Sequence, residues 1–298
     1  MSTPRPTTAT QPAAERPPAP PARTEPRLPG VLPLALVRAR VELLGFLRER
    51  DAVFFILLYP VLMLLIFSTV FGSDGLGLVD DAGREVSFAR YFLPGMVATG
   101  VMLSSFQSLA ISVAVERDDG TLRRLRATPL PPVAYFLGKA GQILVVTLGQ
   151  VAALLAVAAL VYDVPLPDEP GRWWTFAWVL LLGSATGTVC GVAFSSLPRS
   201  GRSATAVVTP VVLVLQFISG VFFMLDQLPV WLQRVAEVFP LKWMAQGMRS
   251  VFLPDSALVL EPSGSWQHGP AAAILGAWLL VGLVVGVRTF RWRRRDDG

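Results

Sequence analysis

Hydrophobic positions in this chain gather into six unbroken runs: Val53–Phe71, Phe92–Val115, Gly141–Val161, Trp174–Leu197, Ala204–Met224 and Ala271–Val287. None of the six contains a charged residue. Each has about the 17–25 apolar residues that a helix needs to cross roughly 30 Å of hydrocarbon. A soluble core helix seldom stays uncharged all the way round over that length. The pattern predicts an all-α integral membrane protein with six transmembrane helices.

Shorter patterns lie between the runs. From Pro33 to Asp51, Leu34, Val37, Val41, Leu44 and Leu47 fall at helical spacing, with Arg38, Arg40, Glu42, Arg48 and Glu49 mostly off that stripe. This predicts an N-terminal amphipathic helix lying in the inner membrane interface. Periodicity leaves open whether that helix only anchors the chain or also touches a cytoplasmic partner. Between the second and third runs, Thr121 to Ala127 predicts a short helix, with Gly120 as the break before it and Pro129 ending it. Leu122 and Leu125 share one face of it, Arg123 and Arg126 another. A leucine pair on so short a helix calls for a protein surface or the lipid interface. After the fifth run, Trp231, Leu232, Val235 and Val238 recur at helical spacing, and Trp243–Phe252 is again apolar. Both stretches are too short to span, so they predict interfacial or re-entrant helices on the outer side.

Composition agrees: 53% of residues are hydrophobic and 16% charged, too apolar a balance for a soluble domain. Charge sets the orientation. With the N-terminus inside, the inner segments hold 20 of the 26 Lys and Arg, concentrated near span ends at Arg48 and Arg50, Arg123 to Arg126, Arg199 and Arg202, and Arg291 to Arg295. Basic residues flanking spans mark the cytoplasmic side, so both termini are expected in the cytoplasm of a plasma-membrane protein. The excess of basic residues suits anionic lipid headgroups and gives no reason to expect nucleic acid. Residues 1–30, with nine prolines, predict a disordered tail. Residues 31–290 form the membrane domain, and 291–298 a basic cytoplasmic tail.

Reactive chemistry is sparse. The runs hold Gln107, Gln142, Gln150, Gln216, Ser104, Ser105, Ser108, Ser112, Thr186 and Thr188 but nothing ionisable. Ion-coupled carriers need ionisable groups in the membrane, which counts against that class. One cysteine, Cys190, and one histidine, His268, form no metal or nucleophile motif. The phosphate-binding GxxxxGK[ST] loop is absent: Gly138-Lys139 lacks a glycine five residues upstream of Gly138. The chain is not expected to be an enzyme, and energy for uphill movement must come from elsewhere. A non-transporting scaffold or sensor stays open as the alternative to a transporter.

Three stretches carry a family resemblance: "ERDDGTLRRLRATPLPPVAYFLGK" (Glu116–Lys139), "SGVFFMLDQLPVWLQRVAEVFPLKWMAQGMRSVFLP" (Ser219–Pro254) and "FLRERDAVFFILLYPVLMLLIFSTVFG" (Phe46–Gly72). Together they resemble the membrane subunits of type-2 ABC exporters, the ABC-2 type permeases, in the multidrug-efflux branch. The resemblance implies a half-transporter that pairs as a homodimer, or with a second permease. Each copy sits on a separate ATP-binding subunit that holds ATP and Mg, and no cofactor binds this chain. It implies that Glu116, Arg117, Gly120, Thr121, Leu122, Leu125, Arg126 and Pro129 form the ATPase-coupling element. Arg38, Arg40, Arg48 and Arg50 lie on the connecting helix beside it, and Ser104, Gln107, Ser108, Gln216 and Phe217 line the substrate pathway. The implied cargo is hydrophobic or amphipathic: a drug, lipid or glycoconjugate.

Overall fold

Among the described residues, six long apolar spans make up most of the molecule, and four shorter helices accompany them. The computed structural model describes residues 29–72, 76–80 and 82–290. The expected Pro-rich tail, apart from its last two residues, and the basic C-terminal tail lie outside the described residues. In chain order the helices are α1 (Val31–Arg48), α2 (Arg50–Phe71), α3 (Phe88–Met102), α4 (Ser108–Asp118), α5 (Thr121–Arg126) and α6 (Pro132–Tyr162). These are followed by α7 (Pro170–Phe194), α8 (Gly201–Ile218), α9 (Val230–Val238), α10 (Pro240–Phe252) and α11 (His268–Thr289). Six units are long and apolar enough to cross a membrane: α2, α3 with α4, α6, α7, α8 and α11. This is the predicted count and class.

Local chemistry fixes the boundaries. Ser87 caps α3 by accepting the Arg90 N–H, and Ser200 with Ser203 forms a reciprocal capping box on α8. Proline opens α6, α7 and α10, where its missing N–H costs nothing. The fifth run stops being helical at Ile218, earlier than its apolar composition suggests. Gly220 adopts φ +72° there and turns the chain. Other helices run past their apolar runs. At 31 residues α6 is about 46 Å long, so its first turns carry Lys139 beyond the uncharged stretch.

Pro60 lies inside α2 and removes the N–H that would bond the Ile56 carbonyl. The Gln150 side chain of α6 donates its Nε2 N–H to that carbonyl at 2.8 Å. One of the four intramembrane glutamines thus repairs a break in a neighbouring span.

The second span is interrupted by a single π-helical turn, Leu103–Gln107, between α3 and α4. Such a turn holds one extra residue and rotates the following helix face. Before it, nearly all of α3 is buried against α2, α6 and α10; after it, Gln107 and Ser108 reach a cavity. Gly187 of α7 seats the π turn, because a Cβ there would collide with Ser105 Oγ.

The first and last elements of each span define two ends of the bundle. At the basal end α1 and α5 gather, with Arg117 of α4 donating to the Pro198 carbonyl at 2.9 Å and Phe136 against Phe290. At the apical end lie α9 and α10. All 13 residues of α10 are buried, packed against α3, α7 and α11. Its C-terminal carbonyls are held by two arginines: Arg90 donates to Phe252 O at 2.9 Å and Arg172 to Leu253 O at 2.7 Å. Arg249 pairs with Glu261, both buried. The backbone N–H of Arg84, donated to Asp80, holds the Asp80 carboxyl down at about 2 against the opposing effect of burial, and the Arg90 and Arg84 guanidinium groups add to this.

Candidate binding cavity and its charged base

A cavity of about 810 Å³ opens among α1, α2, α4, α6 and α8. Its upper wall is apolar with scattered uncharged polar groups: Phe55, Ile56, Leu103 and Leu213 stand beside Gln107, Ser108 and Gln216. Tyr59 of α2 donates its hydroxyl proton to Gln216 Oε1 at 3.2 Å, bridging the first and fifth spans. The size falls within the about 300–1,000 Å³ typical of small-molecule sites.

Toward the basal end the lining becomes charged. Lys139 of α6, with a side chain only 3% exposed, donates to Glu42 of α1 at 2.8 Å and to Glu116 of α4. Arg38 pairs with Glu42 one turn away on α1, and its guanidinium lies 5.3 Å from the Tyr135 ring centre. Tyr135 donates to the second oxygen of Glu116 at 2.7 Å. Two cations and two carboxylates therefore compensate one another where three helices meet. A buried charge is tolerated when it is paired and hydrogen-bonded in this way.

The packing of α1 follows from this cluster. Most of its apolar stripe points outward, with Val37 63% exposed and Leu44 and Leu47 also exposed, while Val41 borders the cavity and Leu34 is half-buried. Ala35, Arg38, Ala39 and Glu42 face α6 instead. The stripe is free for lipid, while the polar face is directed into the protein. Gly138 and Gly141 make the close approach possible: a Cβ at Gly138 would lie 2.7 Å from Arg38 Cβ, and one at Gly141 3.2 Å from Ala39 Cβ.

The loop after α4 is equally specific. Gly120 takes φ +79° and ends α4, and Asp119 Oδ1 accepts the Thr121 N–H at 2.8 Å to start α5. Leu122 is wholly buried in its own chain, whereas Leu125 is half-buried and Arg126 and Pro129 are exposed. Of the two leucines expected on one face, Leu122 thus packs on its own chain and Leu125 stays partly open. A six-residue helix needs an internal anchor, and Leu122 supplies it.

Of the residues expected along a pathway, Gln107, Ser108 and Gln216 come together in the cavity. Ser104 lies behind the wall, bonded to Gly100 O at 2.9 Å and Thr147 Oγ1 at 2.7 Å. Phe217 does not line the cavity and packs on Phe222 with ring centres 5.1 Å apart. On α1, Arg38 enters the charged cluster while Arg40 and Arg48 are exposed; Arg50, expected on the same helix, is also exposed but begins α2, because the chain breaks at Glu49. Sequence reasoning missed Glu42, Lys139, Tyr135 and Tyr59. Lys139, a charge set directly against the start of an apolar run, was the available signal.

The family model for the ABC-2 type transporter matches residues 36–253, most of the chain and all of this cavity. The chain belongs to the ABC-2 type transporter family. Among relatives, the probable multidrug ABC transporter permease YbhR of Escherichia coli K12 is 25% identical over 61% of this chain, and that match spans only about half of YbhR, 49% of its length. The inner membrane transport permease YadH of the same strain is 25% identical over 65% of this chain and 74% of its own. The daunorubicin resistance ABC transporter permease protein DrrB1 of Streptomyces coeruleorubidus is 24% identical over 79% and 78%. ABC-2 permeases are multi-pass membrane components, and in this family ATP hydrolysis is carried out by a separate subunit. The cavity described above is thus a cavity in an ABC-2 transmembrane domain.

Proposed function

We propose that this ABC-2 chain is the permease half of an ATP-driven exporter that moves an amphipathic small molecule out of the cytoplasm. The observation that carries this reading is the cavity of about 810 Å³, apolar toward the bundle centre and charged toward the end that bears α5. An amphiphile gains by burying its apolar part in such a wall while its polar part stays at the charged mouth. The names of YbhR and DrrB1, a multidrug and a drug-resistance permease, favour a drug-like cargo over a polysaccharide. In this reading α5 and the exposed side of Leu125, Arg123 and Arg126 dock on an ATP-binding subunit, where ATP and Mg reside. Both termini are cytoplasmic, since basic residues crowd the basal end. Two permease copies face one another, and nucleotide-driven approach of the ATP-binding subunits rocks the spans about the cavity.

Co-expression with a cognate ATP-binding subunit, purification in detergent and measurement of stoichiometry and ATPase rate test this directly. A two-plus-two complex that hydrolyses ATP is the expected result. A permease that purifies alone would return weight to a scaffold or sensor role.

A further inference from the structure

We infer that Lys139 is a positioning residue: its paired charges lock α1 to the α4–α5 corner, so that helix and loop move as one body. The inference rests on the permease reading only for the direction of use, from ATP-binding subunit to cavity. The lock itself rests on geometry.

Three observations carry it. First, Lys139 bonds both Glu42 on α1 and Glu116, two residues before the end of α4. Glu116 also accepts from Tyr135, so both its oxygens are engaged by α6. Second, the cluster lies a few residues from α5. Gly120 and Leu122 fix α5 to the end of α4, and Arg117 fixes that same turn to the Pro198 carbonyl. A push on α5 therefore reaches Glu116 through short, hydrogen-bonded backbone. Third, the apolar attachment of α1 is partial: Val37, Leu44 and Leu47 are exposed, Leu34, Leu43 and Phe46 are only half-buried, and alanine, Arg38 and Glu42 face α6. Most amphipathic helices are held by their apolar stripe. Here the charges add to a contact whose apolar part is small, Ala35 being the fully buried residue of α1.

The same four charges line the base of the cavity. A molecule entering the cavity and a subunit pressing on α5 thus act on shared side chains. A coupling claim needs an element that both sites bias, and the lock is such an element.

The test uses the full chain with its ATP-binding subunit in lipid nanodiscs, in a Cys190→Ser background. Spin labels at Arg40→Cys on α1 and Thr128→Cys just after α5 report the distance across the lock. In the parent, the distance distribution is expected to be narrow and the same with and without trapped nucleotide. Lys139→Met alone leaves two buried carboxylates opposed and is expected to misfold. The quadruple variant Arg38→Gln, Lys139→Met, Glu42→Gln and Glu116→Gln removes the four charges together and nearly keeps the volume. Its distribution is expected to broaden without nucleotide and to shift when nucleotide is trapped, while Lys139→Arg keeps the parent's narrow distribution. A quadruple variant as narrow and as nucleotide-independent as the parent would overturn the lock and leave α1 held by its contact at Gly138 and Gly141. Failure of the parent to bind any ATP-binding subunit would overturn the permease reading instead. The nucleotide-free comparison would still decide whether the charges hold α1.

Discussion

Single residues in this protein solve problems that burial creates, and the solutions can be measured. Gln150 exists in its present setting to satisfy the Ile56 carbonyl that Pro60 frees. Replacing it with leucine leaves that carbonyl unpaired and is expected to cost about 1–3 kcal/mol. In a Pro60→Ala background, where the α2 backbone can bond itself, the same change should cost clearly less. A double-mutant cycle on thermal unfolding of the purified protein reads this coupling. Lys242 of α10 poses the opposite case. It is buried, its ammonium donates to Gln246 at 2.8 Å and lies 3.5 Å from the Trp243 ring centre, and burial pulls its pKa down to about 8. Glu261 and Glu237 partly oppose that fall and Arg249 adds to it. The folded-state value is below the ordinary one of 10.5, so the unfolded chain binds more protons between about pH 8 and 10.5 and stability rises with pH across that window. Lys242→Met is expected to stabilise the protein at pH 7, by about 3 kcal/mol at most, and to flatten the rise. Melting curves at pH 7 and 9 check both. Neither role was legible in the sequence. A glutamine in an apolar run reads the same whether it lines a path or repairs a helix, and only the neighbouring span distinguishes them.

At the scale of elements, the sequence carried most of what periodicity can encode. All six spans, the short helix after Gly120, α9 and α10 appear where apolar spacing and turn residues place them. What periodicity cannot encode is which side of a helix the rest of the protein occupies. The stripe of α1 was correctly found, but its polar face, not the stripe, meets α6. The π turn at Leu103–Gln107 was invisible, because an inserted residue leaves no compositional mark; the glycine opposite it, Gly187, gains meaning only once packed. The α5 helix shows how burial divides a matched pair. Leu122→Ala is expected to destabilise the chain itself by about 2–5 kcal/mol, as an internal anchor does. Leu125→Asp, on the half-buried side, should leave the isolated permease folded and abolish capture of the ATP-binding subunit. Size-exclusion profiles and pull-downs of the two variants, run side by side, separate these roles. Equal loss of the subunit with both, and no loss of stability with Leu122→Ala, would show instead that both leucines meet the subunit.

At the scale of the whole molecule, the six-span permease class was legible from hydrophobic runs and one loop, whereas the chemistry of the cavity was not. Uncharged runs suggested an uncharged site. The structure draws Glu42, Glu116, Arg38 and Lys139 into its base from outside those runs, and adds Glu49 and Asp119 at the mouth. The two cations are already paired with Glu42 and Glu116. The lining therefore carries more negative than positive charge, and a positively charged amphiphile is the expected cargo. Among amphiphiles of matched apolar body, a cationic one should stimulate the ATPase of the complex more than its anionic counterpart, with the difference shrinking in Glu49→Gln/Asp119→Asn. In the permease reading, this cavity opens to the cytoplasm and closes when ATP binds. The measurement that tests it most directly is thiol accessibility of Gln107→Cys, in a Cys190→Ser background, in inside-out vesicles carrying the permease and its ATP-binding subunit. A membrane-impermeant maleimide is predicted to label Cys at that position without nucleotide and to be excluded once nucleotide is trapped with vanadate. Equal labelling in both states, or none in either, would contradict an alternating cavity in this protein.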